Sequence, residues 1–285
     1  MEKGAYGLID APYLWFVAIS DELKSLGFEA SPFDPCLFTL QDKRGQTCGL
    51  IGIHVDDGLC CGTPEFHAKL KQLEAKYPFG SRKDRDFTFT GLHIQQHQDY
   101  SITVDQTKYV KAIEPIHINS QRRHDPQQPV TEDERQQLRG LIGSLQYASI
   151  NSRPDLGSRL SFLQSQINSA VVQTLMDGNR TLQEAKRYAD TALRIQPIPL
   201  QDIRFVSFSD AAFATREKAH SQKGCLILAT TDTIDQLKTA EVSPLVWFSK
   251  KINRVVSSTL ASETYALSGA LDTLSWIRIH WAWIL

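Results

Sequence analysis

The spacing of apolar and polar residues changes along the chain between the helical and the strand period, which predicts a mixed protein. "DAPYLWFVAISDELKSLGF" carries a wide apolar helical face, with Asp10 as candidate N-cap, Pro12 in the first turn and Gly27 at the exit. "CLFTL" and "TCGLIGIHV" predict strands, and the second is apolar on both faces, which favours an inner position in a sheet. "GLCCG" is expected to return as its hairpin partner.

The next segments predict a second set of helices and strands. A helix is expected from Pro64 to about Tyr77, followed by a hairpin made from "DFTFTGLHIQ" and "YSITV" and a short helix at "DQTKYVKAIE". Residues 119–130 are polar, contain proline and have no periodicity, so they are interpreted as a linker.

The middle of the chain is expected to be helical. Two capping-box patterns, Thr131 with Glu134 and Thr181 with Glu184, predict helices that run to about residues 150 and 195. "RPDLGSRLSFLQSQI", between them, is also helical in pattern. The last third returns to strands at "IRFVSFSD", "GCLILAT" and "PLVWFSKK", and a long helix is expected from about Leu260 onward.

Composition narrows the class of protein. The 285 residues are 41% hydrophobic and 22% charged with a formal net charge of -1, which is typical of a globular protein without an overall basic surface for nucleic acid. The five cysteines form no C-x-x-C pair, which favours a reducing compartment. No apolar run reaches the roughly 18–20 residues that span a bilayer, and Asp10 and Pro12 interrupt the N-terminal apolar segment. We therefore expect an intracellular protein that is not secreted and has no membrane partner.

"LIGIHVDDGLCCG" places Asp56 and Asp57 side by side in an apolar segment. One interpretation is an ordinary Asp-Gly hairpin turn at the surface. The other is a metal site, because two carboxylates held close together resist joint ionisation unless a cation such as magnesium compensates them. The apolar flanking strands favour a core hairpin, and both interpretations stay open on the residues alone.

Other candidate ligands carry weaker signals. Asp210 ends an apolar strand and Glu263 begins the last helix, so the two acids are able to converge on metal ions, although a loop cap and a favourable helix N-terminus explain them equally well. His93 and His97 have a spacing that occurs in zinc sites, but they lie in a strand-like run without a cysteine pair.

Six collinear segments resemble the reverse transcriptase–ribonuclease H part of the Pol polyprotein of copia-like LTR retrotransposons. They are "KGAYGLIDAPYLWF", "GFEASPFDPCLF", "GIHVDDGLCCG", "FTGLHIQQHQDYSITVDQTKYV", "LRGLIGSLQYASINSRPDLGSRLSFLQSQI", and "SFSDAAFA" with "VWFSKKINRVVSSTLASETYAL". The resemblance implies an α+β fold with a partial palm domain at 1–118, a helical thumb or connection at 119–200, and the N-terminal part of a ribonuclease H-like domain at 201–285.

The resemblance also implies roles for individual residues. Asp56 and Asp57 match the metal-binding pair of the polymerase, and Asp210 and Glu263 match two acids that bind metal for cutting the RNA strand of an RNA–DNA hybrid. Residues that would line the incoming nucleotide, the template or the primer end are Tyr6, Gly7, Pro12 and His54, where His54 replaces the family's usual tyrosine. The implied cofactor is Mg²⁺ or Mn²⁺, and the implied partners are template-primer, RNA–DNA hybrid and deoxynucleoside triphosphates.

Departures from the family pattern suggest an incomplete enzyme. The family's further catalytic aspartate precedes the "YGL" motif, where this sequence has five residues and no aspartate, and a further acid should follow the Glu263 helix, for which Asp272 is a poor substitute. We expect a fragment truncated at both ends, or a catalytically inactive remnant that at most binds nucleic acid. An unrelated palm-type nucleotidyl transferase is a third alternative. The resemblance leaves the oligomeric state open and implies a cytoplasmic location, in a virus-like particle, or a nuclear one.

Overall fold

The computed structural model describes residues 9–216, 219–235 and 239–285. These ranges contain α-helices and antiparallel sheets, which confirms the mixed α+β class. They form two compact units: the described residues up to Asp84 together with Trp276–Leu285, and Arg85–Ser275. The predicted domains at 1–118, 119–200 and 201–285 are defined by resemblance to regions of a family, not by compact units of the structure, and they stay a prediction. Among the described helices, none is long and apolar enough to cross a bilayer.

The first unit follows the predicted order of elements closely. Its elements are α1 (Ala11–Ser25), β1 (Phe28–Ala30), β2 (Leu37–Gln41), β3 (Thr47–His54), β4 (Asp57–Gly62) and α2 (Pro64–Lys76), and the sheet order is β1-β2-β3-β4. Pro12 lies in the first turn of α1, and Gly27 follows the helix with a φ of +93°, as the pattern predicted. Asp10 occupies the N-cap position but makes no side-chain capping bond.

The core of the first unit joins both helices to the sheet. Phe66 of α2 is fully buried and meets Phe28 edge-on, with ring centroids 5.7 Å apart. Gly49 and Gly62 face each other across β3 and β4, and a Cβ built on them would lie 2.0 Å and 2.5 Å from the nearest carbon of the Phe66 ring. Only glycine at these two positions lets the Phe66 ring lie against the backbone of the hairpin.

The predicted core hairpin at β3 and β4 is wrong in one strand. β3 is an inner strand, as its apolar sequence suggested, but every residue of β4 from Asp57 to Gly62 is exposed. β4 is the outermost strand of its sheet, and an apolar run does not show whether a neighbour covers it. The Asp pair therefore lies at the tip of a surface hairpin.

The second unit contains two sheets and a helical layer. Its elements are β5 (Asp86–Phe89), β6 (Leu92–Gln96), β7 (Ile102–Asp105), α3 (Thr107–Ala112), α4 (Glu132–Asn151), α5 (Gly157–Gln166), α6 (Val172–Arg187), β8 (Leu193–Ile195), β9 (Ile203–Ala212), β10 (Gln222–Thr231) and β11 (Ser243–Lys251), followed by α7 (Thr259–Ile284) as far as Ser275. The sheet orders are β5-β6-β7-β8 and β11-β10-β9. The core of the helical layer is built mainly from the leucines of α4, α5 and α6.

Two predictions in the second unit are wrong. Thr181 lies inside α6 rather than at its start, and its hydroxyl donates to the Asp177 carbonyl; the helix ends at Arg187, and the segment to Ile195 forms β8 instead. "DFTFTGLHIQ" is not one strand, because a turn at Thr90 and Gly91 divides it into β5 and β6.

Another prediction in this unit is confirmed. Thr131 and Glu134 form the capping box of α4, with both of its hydrogen bonds present. The interpretation of residues 119–130 as a linker is not confirmed, because the segment lies inside the second unit. It contains a short 3-10 turn and a bridge from Pro129 to Val171, and Arg122 makes two 2.8 Å bonds to the carboxylate of Glu134.

Candidate functional site

The turn between β3 and β4 carries the paired acids. His54 and Asp57 face each other as the last cross-strand pair, so Val55 and Asp56 form a two-residue turn. Val55 has a φ of +54°, and Asp56 does not share this left-handed conformation. A positive φ at the first central residue only is the pattern of a type II′ turn, in which glycine is usual at that position. The turn therefore places both carboxylates at the exposed end of the hairpin.

A tryptophan of α1 holds this turn. The indole Nε1–H of Trp15 donates a 3.0 Å hydrogen bond to the carbonyl oxygen of Val55. The Trp15 ring also meets the Tyr77 ring edge-on, with centroids 5.6 Å apart. Trp15 belonged to the predicted apolar face of the helix, but no pattern in the sequence indicated a bond to a residue forty positions away.

The electrostatics of the turn leave its charges uncompensated. Asp56 and Asp57 are exposed, and neither makes an ion pair with another residue in the part of the chain that the structure describes. In residues 9–216, 219–235 and 239–285, no three His, Cys, Asp or Glu side chains form a group that could hold a metal ion. Magnesium is commonly bound by one or two protein carboxylates together with substrate phosphates and water. The pair fits such a cation as part of its ligand set, not as a closed cage.

The remaining polymerase candidates are placed as follows. His54 is exposed at the end of β3, beside the turn, and Pro12 is exposed in the first turn of α1. Tyr6 and Gly7 lie outside the described residues. The structure thus brings His54 to the Asp pair, while the grouping of all four around a nucleotide stays a prediction.

Asp210 and Glu263 lie on different elements of the second unit. Asp210 is exposed on β9 and is paired with Gly224 of β10, so these two residues lie on the same face of that sheet. Lys223, the next residue on β10, points to the opposite face and lies against Gly269 of α7, the helix that carries Glu263. Glu263 is partly buried near the start of α7, and a metal site shared by Asp210 and Glu263 stays a prediction.

The two histidines considered for zinc are engaged separately. The Nδ1 of His93 lies 2.7 Å from Asp105 and its Nε2 lies 3.0 Å from Asp86, whereas the His97 ring bonds the Thr103 hydroxyl. Hydrogen bonds to Asp105 and then Asp86 raise the pKa of His93 above its usual range. This arrangement is an ion-pair network across β5, β6 and β7, in which histidine supplies the positive charge.

Comparison with known proteins gives three long alignments at low identity. The chain is 23% identical over 292 residues to the retrovirus-related Pol polyprotein from transposon RE1 of Arabidopsis thaliana, and 23% identical over 291 residues to that from transposon RE2; each alignment covers 97% of this chain. It is 24% identical over 266 residues to a transposon Ty5-1 protein of Saccharomyces cerevisiae, covering 89% of this chain and 82% of that protein. The chain spans about a fifth (19%) of the length of the Arabidopsis polyproteins. No protein-family model matches it.

Proposed function

Since this chain is a homologue of retrotransposon Pol polyproteins, we propose that its β3–β4 turn is the metal-holding turn of an RNA-directed DNA polymerase. The observation that carries the proposal is the pair Asp56 and Asp57, exposed at a hairpin tip without a cationic partner among the described residues. Its substrates would be a primed RNA or DNA template and deoxynucleoside triphosphates. Its location would be cytoplasmic, in a virus-like particle, or nuclear.

In this proposal, the turn would bind the divalent cations that the reaction requires. Bound magnesium or manganese would supply Lewis-acid activation of the attacking hydroxyl and neutralisation of the leaving pyrophosphate. The carboxylates of Asp56 and Asp57 would hold such cations, and the rigid hairpin would fix where they sit. His54, on the adjacent strand end, would border the primer terminus. Gly7 and Tyr6 would line the nucleotide together with Pro12, as the resemblance implies.

The second unit would contribute a ribonuclease H-like region. Here Asp210 and Glu263 would be two of the acids that hold metal for cleaving the RNA strand of a hybrid. The two acids lie on different elements, β9 and α7, and no group of three possible metal ligands is present among the described residues, so this part of the proposal needs a further ligand. It is therefore secondary to the polymerase turn.

A catalytically inactive remnant that binds nucleic acid is the second candidate. The observation that favours it is that Asp56 and Asp57 are joined by no third His, Cys, Asp or Glu ligand within the described ranges. Its prediction differs clearly: template-primer binding without nucleotide incorporation.

Primer extension on poly(rA)–oligo(dT) with the 285-residue chain distinguishes the two candidates. The variants are Asp56→Asn and Asp57→Asn, with Asp21→Asn, an exposed acid on α1, as the matched control. Polymerase function predicts incorporation with Mg²⁺ or Mn²⁺ that falls at least about 100-fold in either turn variant, since even outer residues around a metal cost 10–100-fold, and is unchanged in the control. Incorporation that is unaffected by both substitutions would overturn the polymerase assignment, and template-primer binding without incorporation would contradict polymerase activity of the 285-residue chain.

A further inference from the structure

A hydrogen bond in the first unit joins α1 to the turn that carries Asp56 and Asp57. Trp15 donates its indole hydrogen to Val55, the residue immediately before Asp56. The donor and acceptor atoms are 3.0 Å apart, an ordinary distance for a well-formed hydrogen bond. No feature of the proposed polymerase chemistry uses this tryptophan directly, because its ring does not carry a ligand for a metal.

Val55, the acceptor residue, has an unfavourable backbone conformation. Val55 is β-branched, and a β-branched residue with positive φ is a steric outlier that persists only where surrounding contacts hold it. An unconstrained valine at this position would return to negative φ and change the direction in which the following residues leave the turn. The hydrogen bond from Trp15 opposes that change, because a different backbone conformation at Val55 would turn its carbonyl oxygen away from the indole N–H.

Trp15 is itself fixed from the other side. Its ring is half-buried and packs edge-on against Tyr77, which follows the last turn of α2. The indole nitrogen is therefore presented to the turn by two helices of the same compact unit. A side chain with this support is able to act as a rigid constraint on the turn.

We infer that Trp15 is a positioning residue, which keeps the Val55 turn left-handed so that Asp56 and Asp57 bind one divalent cation together. The inference rests on the proposed function for the purpose of that cation, not for the conformation of the turn. It goes beyond the proposed function because it assigns the geometry of the acid pair to a helix residue outside the hairpin.

The test first removes the hydrogen bond and then replaces Val55 with a residue that adopts positive φ without support. Trp15→Phe keeps an aromatic ring against Tyr77 but lacks the indole N–H, and Val55→Gly allows positive φ without support. Mn²⁺ is the probe, and its affinity is read from paramagnetic broadening of the amide resonances of residues 54–58. We expect Trp15→Phe to weaken Mn²⁺ binding about tenfold, as loss of an orienting outer contact does, and Trp15→Phe/Val55→Gly to restore it.

The matched control is Tyr147→Phe. The Tyr147 hydroxyl donates to the carbonyl of Thr90, another left-handed turn residue, and both belong to the second unit, whereas the acid pair belongs to the first. This substitution removes a bond of the same kind and should leave Mn²⁺ affinity unchanged. An equal loss of affinity in both variants would overturn the inference, because it would report general loosening of the fold.

Failure of the inference and failure of the proposed function give different results. If the wild-type chain shows no Mn²⁺ binding that depends on Asp56 and Asp57, the polymerase proposal fails, while the amide shifts of residues 55–57 still report the turn. Shifts that change in Trp15→Phe and revert in the double variant would support the positioning role in that case. If Trp15→Phe leaves both the shifts and Mn²⁺ affinity unaltered, the positioning role is wrong.

Discussion

The turns before β4 and before β6 share one kind of contact but carry different chemistry. Each has a non-glycine residue at positive φ, Val55 at +54° and Thr90 at +47°. In each, the carbonyl of that residue accepts a hydrogen bond from an aromatic side chain of a helix, Trp15 in the first unit and Tyr147 in the second. An aromatic donor thus contacts both turns, and the acids nearby distinguish what each turn can bind.

The acids near the two turns differ in their partners. Beside the second turn, His93 lies between Asp86 and Asp105, so the fold supplies its own cation. Burial opposes ionisation of Asp105, but hydrogen bonds from Thr107 and His93 lower its pKa overall. At the first turn, Asp56 and Asp57 have no such ion pair among the described residues. An acid cluster with an internal cation contributes to stability, whereas one without it is open to an external cation.

The largest expected effect breaks the first hairpin and leaves the second intact. Gly49→Ala would place a Cβ 2.0 Å from Cδ2 of the buried Phe66 ring, whereas Gly52→Ala, in the same strand, would meet nothing closer than 4.0 Å. We expect Gly49→Ala to reduce the free energy of unfolding by about 3 kcal/mol through overpacking, and Gly52→Ala to change it by less than about 0.5 kcal/mol. Urea denaturation measures both, and equal stabilities would show that Phe66 is not seated on this glycine.

Features that depend on a few neighbouring residues could be predicted from the sequence. Local patterns located α1 with Pro12 and Gly27, the capping box at Thr131 and most strands, because caps, turns and apolar periodicity act over a few residues. The Thr181 pattern failed because a Ser/Thr-x-x-Glu spacing also occurs inside helices, where the hydroxyl bonds back to the preceding turn.

Features that depend on distant residues had no sequence signal. The exposure of β4 depends on which strands and helices flank it, and the Trp15–Val55 bond joins residues far apart in the chain. The hairpin that carries Asp56 and Asp57 could be predicted and is confirmed, whereas their role as a site stays a prediction. Whether further ligands join the pair depends on three-dimensional approach, which periodicity does not encode.

The second prediction compares one acid from each cluster. Asp105 is largely buried, bonds His93 and accepts a 2.9 Å hydrogen bond from the backbone N–H of Thr107 at the start of α3. Asp105→Ala should therefore cost about 2 kcal/mol of stability through loss of this backbone hydrogen bond and the ion pair. Asp57→Ala should cost less than about 0.5 kcal/mol, since its carboxylate is exposed. A large loss in Asp57→Ala, measured by urea denaturation, would contradict the view that this acid is free for an external ligand.

The third prediction concerns the aromatic donors themselves. Tyr147→Phe deletes the hydroxyl that bonds Thr90, and we expect a loss of about 1 kcal/mol, the usual net value of one hydrogen bond. Thr90→Gly combined with Tyr147→Phe should recover most of that loss, because glycine adopts positive φ without strain. Thermal unfolding of the two variants and of Thr90→Gly alone measures the coupling. Strictly additive effects would show that the hydroxyl does not hold the turn.

The smallest expected effect is the pH dependence of stability that His93 gives the second cluster. Because the pKa of His93 is raised in the folded chain, its stabilising contribution is complete below its ordinary pKa of 6.5 and is lost as the pH rises through the folded pKa. The lowered pKa of Asp105 keeps that acid ionised throughout this range. His93 is 41% exposed, so solvent screening limits the change to about 0.5 kcal/mol. Stability measured in urea from pH 5.5 to about 8.5 should fall by this amount in the wild-type chain and less in His93→Gln, and an NMR titration of the His93 ring should show the raised pKa directly. If His93→Gln keeps the full slope, the cation of this cluster is not what distinguishes it from the Asp56–Asp57 turn.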